Sequence, residues 1–280
     1  MNNLFRQQIL PNVTAIVVTA ALTGLLFLEV LILNFFTTND ISLSLRIGDV
    51  LIGITIYLKT AIDFAIYIAN LMEKNRGWKH QFAIVIGTAA GNGIGTLIVL
   101  VVWTLFKEVD WLLAIMIFIA SLVLVRLAEE GFEHVEEADD KYPRWFKKSA
   151  HTLHRGVVAF NKGVAPLLKY VVPNFSMRDS VATSFWSMLK ISFTVPFILG
   201  LDDFAGYVPL FSVVNVFGFA IGVFVGHLVL CMLLFISPSK TIVVIKNPII
   251  SYIGSLVFIG LAIWGMTEVY HLLHGVFYHS

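Results

Sequence analysis

Long apolar runs separated by short polar links dominate the chain. Stretches of about 20 or more predominantly apolar residues, each able to cross the hydrocarbon of a bilayer as a helix, fall at 12–37, 47–72, 81–106, 109–128, 180–211, 212–236 and 248–274. The pattern predicts an all-α polytopic membrane protein with seven transmembrane helices. The short link Lys107–Asp110 closes the third and fourth spans into an antiparallel hairpin, and the 211–214 turn does the same for the fifth and sixth. One segment breaks the pattern. Within 129–179, Phe146, Ala150, Leu153, Val157, Phe160, Val164 and Leu167 recur at alternating steps of four and three, with Lys147, Lys148, Arg155 and Lys162 on other faces. This spacing predicts an amphipathic helix, lying on the inner leaflet with lysines among the headgroups or packed on the protein's own loops.

Composition agrees: 58% of residues are hydrophobic and 13% charged, against about 25% charged in a soluble domain. The net charge of +1 conceals a segregation. If the N-terminus lies on one side, that side also holds Lys74, Arg76, Lys79, the 129–179 segment, Lys240 and Lys246, while the other receives Arg46 and Lys107. By the positive-inside rule the N-terminus is cytoplasmic and the C-terminus, with His271, His274 and His279, faces out of a plasma or inner membrane. A single cysteine, Cys231, excludes an intramolecular disulfide, a Cys-based zinc cluster and a thiol relay. The N-terminal apolar run is too long for a cleavable signal and reads as a retained first span.

Two apolar runs carry aspartate. Residues 58–72 read L-K-T-A-I-D-F-A-I-Y-I-A-N-L-M and residues 197–211 read F-I-L-G-L-D-D-F-A-G-Y-V-P-L-F. An ionised carboxylate in hydrocarbon costs several kcal/mol, so it is kept where something neutralises it. Both stretches contain D-F-A-x-Y. Two further matches follow in the same order: Gly91-x-x-x-Gly95 against Gly222-x-x-x-Gly226, then I-A-S-L-V (119–123) against I-G-S-L-V (253–257), with Leu127-Ala128 against Leu261-Ala262. Three spans per half is an odd number, so the halves have opposite orientations. The chain therefore reads as an N-terminal helix and loop (1–46), a first three-helix repeat (47–128), a cytoplasmic linker (129–179) and a second repeat with the C-terminus (180–280). A 3+3 inverted-topology repeat places its paired sites near the midplane and supports alternating access. Small residues at GxxxG spacing serve close helix packing, with a direct ligand role for their backbones as the alternative.

Asp63, Asp202 and Asp203 are the leading metal-ligand candidates. Pro196 and Pro209 bracket G-L-D-D-F-A-G, and each removes a backbone hydrogen bond. A broken fifth helix there would add carbonyl oxygens to carboxylates, an oxygen-rich site for a hard or borderline divalent cation. Alternatively the aspartates pair with Lys59 and Lys190; a lysine can also hold the site neutral once the ion leaves. The repeat register equates Asp63 with either Asp202 or Asp203. His227 and Cys231, one turn apart, could serve a soft ion or simply pack. Asn92 could line the same cavity, and Glu29 in the first span could form a proton or ion path or pair with a lysine. His134 and His151-x-x-His154 admit metal sensing, although charged runs are usually solvated faces. No P-loop, nucleophile elbow or HExxH helix is present, so no ATP-driven pump, enzyme or bound cofactor is expected.

T-A-I-D-F-A-I (60–66), the short basic loop, the glycine-bearing third span and G-L-D-D-F-A-G-Y-V-P-L-F (200–211) resemble the cadmium-resistance transporter family of the lysine-exporter superfamily, over about 47–128 and 180–270. The resemblance implies that Asp63 and Asp202 are ion ligands, with Asp203 where relatives carry asparagine. The chain departs from the family in its added first helix, its long linker and the lack of a cysteine near the second motif, which leaves manganese, calcium or zinc open beside cadmium. The expected function is secondary, proton-coupled export of a divalent cation as substrate, with protons as counter-ion and the lipid bilayer as surroundings. A homodimer is compatible with it and no nucleic-acid partner is expected. Export of a cationic amino acid or small organic solute, or an intramembrane enzyme or assembly factor without transport, are the alternatives.

Overall fold

The computed structural model describes residues 9–38, 40–75, 77–136, 142–171, 184–205, 208–212, 214–245 and 247–278, with the backbone alone at 62–63, 167–171, 199–205, 212, 239, 245 and 275–278. The described residues are helical, without strands: α1 (Leu10–Phe36), α2 (Ile47–Thr60), α3 (Ile62–Lys74), α4 (Trp78–Lys107), α5 (Asp110–Glu136), α6 (Arg144–Val171), α7 (Phe185–Ala205), a 3-10 turn at Val208–Ser212, α8 (Val216–Ile236), α9 (Pro238–Ile245) and α10 (Pro248–Tyr278). Five helices, α1, α4, α5, α8 and α10, are long and apolar enough to cross a membrane, and α2 with α3 makes a sixth if the bent pair counts as one span. The apolar part of α7, Phe185–Ile198, is shorter, and the beginning of the expected 180–211 span lies outside the described residues.

The first aspartate stretch is bent at its aspartate; in the second, α7 ends at Ala205, inside the stretch bracketed by Pro196 and Pro209, and a 3-10 turn follows at Val208–Ser212. α2 and α3 meet at 65° around Ala61, whereas α7 runs helically past Pro196 and through Asp202 and Asp203 to Ala205. Pro196 removes only the bond to the Ser192 carbonyl, which the remaining ladder tolerates. No proline or glycine marks Ala61, so local sequence does not cause the elbow.

The chain forms two units that interleave the sequence halves. The first comprises Met1–Thr104, Ser176–Phe204 and Val214–Val244; the second comprises Leu105–Phe175, Ala205–Val213 and Ile245–Ser280. In the first unit α2 and α8 run parallel with their backbones touching. A Cβ at Gly53 would strike the Phe219 carbonyl and lie 3.0 Å from the Gly222 Cα; a Cβ at Gly222 would strike the Val50 carbonyl and lie 2.9 Å from the Gly53 Cα. One turn on, Tyr57 covers Gly226. α4 and α7 also run parallel: Gly87 meets Leu189 to Phe193 and Gly91 meets Phe193 to Phe197. Such contact maximises dispersion between helices where lipid offers no hydrophobic drive. Two asparagines tie the loop before α2 in place. Asn34 exchanges hydrogen bonds with the Ile41 backbone (2.8 and 2.9 Å), and Asn215 caps α8 through Gly218 N (2.9 Å) while donating to the Ser42 carbonyl (2.7 Å).

In the second unit α5 and α10 pack antiparallel, with Phe132 against Tyr252 (5.9 Å between ring centroids) and Gly265 against Ser121. The apolar stripe of α6 is turned onto protein. Phe146, Ala150 and Val157 are buried, Phe146 meets Tyr252 (4.9 Å) and Val164 packs on Leu122 and Val123. Asn161 donates to Glu129, and both His151 and His154 bond the same Glu136 oxygen at 2.9 Å. Of the two expected placements the structure shows packing on the protein itself, on α5 and α10, because those helices offer an apolar face with polar groups at matching positions.

Gly53→Ala should cost about 1–3 kcal/mol of stability, as overpacking against immobile backbone does. Gly24→Ala, where a Cβ meets nothing within 4 Å, should be neutral or slightly stabilising. Thermal unfolding in detergent checks the contrast.

Candidate functional site

The elbow of the first aspartate stretch concentrates buried polar atoms. Lys59 is in the last turn of α2 and Asp63 in the first turn of α3. The negative end of one helix dipole thus meets a cation and the positive end of the next meets an anion. Lys59 is 9% exposed, and its Nζ has no hydrogen-bond partner among the described residues; neither has the buried hydroxyl of Tyr67, one turn beyond Asp63. The side chain of Asp63 lies outside the described residues, as do those of Asp202 and Asp203.

A hydrogen-bond chain fixes the elbow to α8 and α4. The Cys231 thiol lies at the Thr88 hydroxyl of α4, which donates to the Val85 carbonyl (3.2 Å). His227 joins the elements, its Nε2 3.4 Å from the Cys231 sulfur and its Nδ1 2.8 Å from the Tyr57 hydroxyl. The imidazole also packs on Phe64 (5.5 Å), so it touches both sides of the break. His227 and Cys231 are both buried within this hydrogen-bonded clamp. Asn92 is buried one turn after Thr88, on the same face of α4.

Register separates the two aspartate stretches. α7 meets α4 with Phe193 at Gly91, which carries Asp202 level with about Ile98. Tyr57 at Gly226 and Cys231 at Thr88 bring the elbow level with about Thr88. Ten residues of helix are about 15 Å, so the backbones of the two stretches stand at different levels along α4. Lys190 is exposed on α7 and does not join either. Glu29 sits on α1, its carboxylate buried. His134 bonds the Glu130 carbonyl (2.7 Å), His151 and His154 hold α6, His271 and His274 are exposed, and His279 lies outside the described residues. Among the described residues no group of three or more His, Cys, Asp or Glu is arranged to hold a metal ion. The second unit has an apolar groove of about 640 Å³ between α6 and α10, at Phe160, Ile263 and Met266, without such chemistry.

The signal that would have found the clamp was in the sequence: Tyr57 is one turn ahead of Ala61, and His227 follows Gly226. Their pairing depends on the α2–α8 register, which no single stretch encodes. No protein-family profile, curated protein or solved structure matches the chain.

His227→Phe should cost about 1–3 kcal/mol by leaving the Tyr57 hydroxyl and Cys231 thiol unsatisfied, while Cys231→Ser, which preserves a donor and an acceptor, should cost less. Unfolding midpoints of the two variants check the ordering.

Proposed function

We propose that this protein is a secondary exporter of a divalent cation, of the cadmium, manganese, zinc or calcium class, exchanging it for protons across a plasma or inner membrane. The observation that carries the reading is the buried Lys59 amine at the elbow of a broken span, four residues before Asp63, without a hydrogen-bond partner among the described residues. In the empty carrier Lys59 neutralises the aspartate; an arriving cation takes its place on the carboxylate and the elbow carbonyls, and proton binding to the carboxylates drives release. The Asp202–Asp203 pair on α7 is the second station, about 15 Å along the α4 axis. The cation passes from one to the other as the halves exchange shape.

Helix directions support seven crossings built as an inverted repeat. Parallel α2 and α8, parallel α4 and α7, and antiparallel α5 and α10 are what alternate crossings give when α2–α3, α4 and α5 repeat as α7, α8 and α10. The sequence match also extends past Leu127-Ala128 to Gly131 against Gly265 and Val135 against Val269. Bent at Ala61 in one copy and ended at Ala205 in the other, the aspartate spans differ in the way alternating access requires. The resemblance to cadmium-resistance transporters agrees with this reading.

In proteoliposomes loaded with a panel of divalent cations, lysine and arginine, the protein should move a divalent cation, and Asp63→Asn and Asp202→Asn should each abolish flux without loss of folding. Flux retained in either variant contradicts the assignment. Lys59→Met should keep cation-for-cation exchange and lose net export, because the empty site can no longer neutralise its carboxylate.

A further inference from the structure

α1 lies outside the repeat and carries one ionisable side chain in 27 residues, Glu29. Both its carboxylate oxygens are buried, and neither has a hydrogen-bond partner among the described residues. Among the described residues the cation nearest in register is Arg46, at the N-cap of α2, whose carbonyl lies 3.8 Å from a Cβ built on Gly218 and whose side chain is exposed. On α8, which α1 meets where Phe27 packs on Phe217 (6.4 Å), the ionisable groups are His227 and Cys231, ten or more residues away and held in the clamp. On α4, which α1 meets where Leu22 covers Gly93, no ionisable side chain lies between His80 and Lys107. From α2, Asp49 faces Gly218, next to Phe217, and is itself an acid. Lys59, with Tyr57 at Gly226, lies about 20 Å further along α8.

An ionised carboxylate without a partner in such surroundings costs several kcal/mol, and the group takes up a proton instead. We infer that Glu29 is a proton-binding site separate from the aspartate stretches, protonated at neutral pH and carrying a counter-proton of the exchange. Its role as carrier rests on the export reading; its protonation does not. The aspartates are thereby left to the cation, and proton and metal travel on different helices.

Dicyclohexylcarbodiimide, which adds to protonated carboxyls in apolar surroundings, should modify Glu29 of the purified protein at neutral pH, as read by peptide mass, and leave E29Q unmodified there. The infrared carbonyl band of a protonated carboxyl, which reports the proton whether or not the reagent reaches it, should be weaker in E29Q than in wild type. An unchanged band overturns the site. In proteoliposomes an imposed pH gradient should accelerate cation export by wild type and not by E29Q; equal acceleration in both overturns the carrier role. Loss of flux in Asp63→Asn with the Glu29 band intact would separate the two proposals.

Discussion

Backbone contact between α2 and α8 sets the geometry on which the rest depends. With Gly53 and Gly222 facing each other, the helices run closer than any side chain between them would allow. Parallel at that distance, they keep a constant register, and one turn further Tyr57 lies over Gly226 and reaches the ring of His227. The clamp follows from that register, and the elbow follows from the clamp. His227 holds the last turn of α2 by a hydrogen bond and the first turn of α3 by its ring face, so the chain bends around it.

Electrostatics then give the elbow its chemistry. A continuous helix would bury Lys59 and Asp63 in mid-span with every backbone group already bonded. Breaking it at Ala61 places the lysine at a helix C-terminus and the aspartate at an N-terminus, where each is favoured by a dipole. Irregular backbone of this kind is tolerated at bilayer depth where it is enclosed in protein or lines a cavity.

Much of this was legible in the apolar pattern. The long apolar runs return as helices, and the GxxxG glycines lie at helix contacts, with Gly91 on α7 and Gly222 and Gly226 on α2. Pro196 does not end α7, because one missing hydrogen bond does not stop a helix whose neighbours pack well; the helix ends at Ala205, before Pro209. The bend in T-A-I-D has no breaker residue and faces a histidine about 165 residues away. The stripe on α6 is amphipathic as its spacing predicts, yet its covering, α5 and Tyr252, could not be inferred from periodicity. For the imidazole and thiol of α8, sequence shows which groups are adjacent and not that Tyr57 bonds the ring.

The central claim is that a divalent cation is held by carboxylate and backbone oxygen at the aspartate stretches while His227 and Cys231 stay in the clamp. X-ray absorption at the cadmium edge of the cadmium-loaded protein tests it most directly, because sulfur, nitrogen and oxygen neighbours differ in distance and scattering. The expected first shell is oxygen throughout and is lost in Asp63→Asn. A sulfur neighbour, or a shell that retains its form without Asp63, would contradict the account.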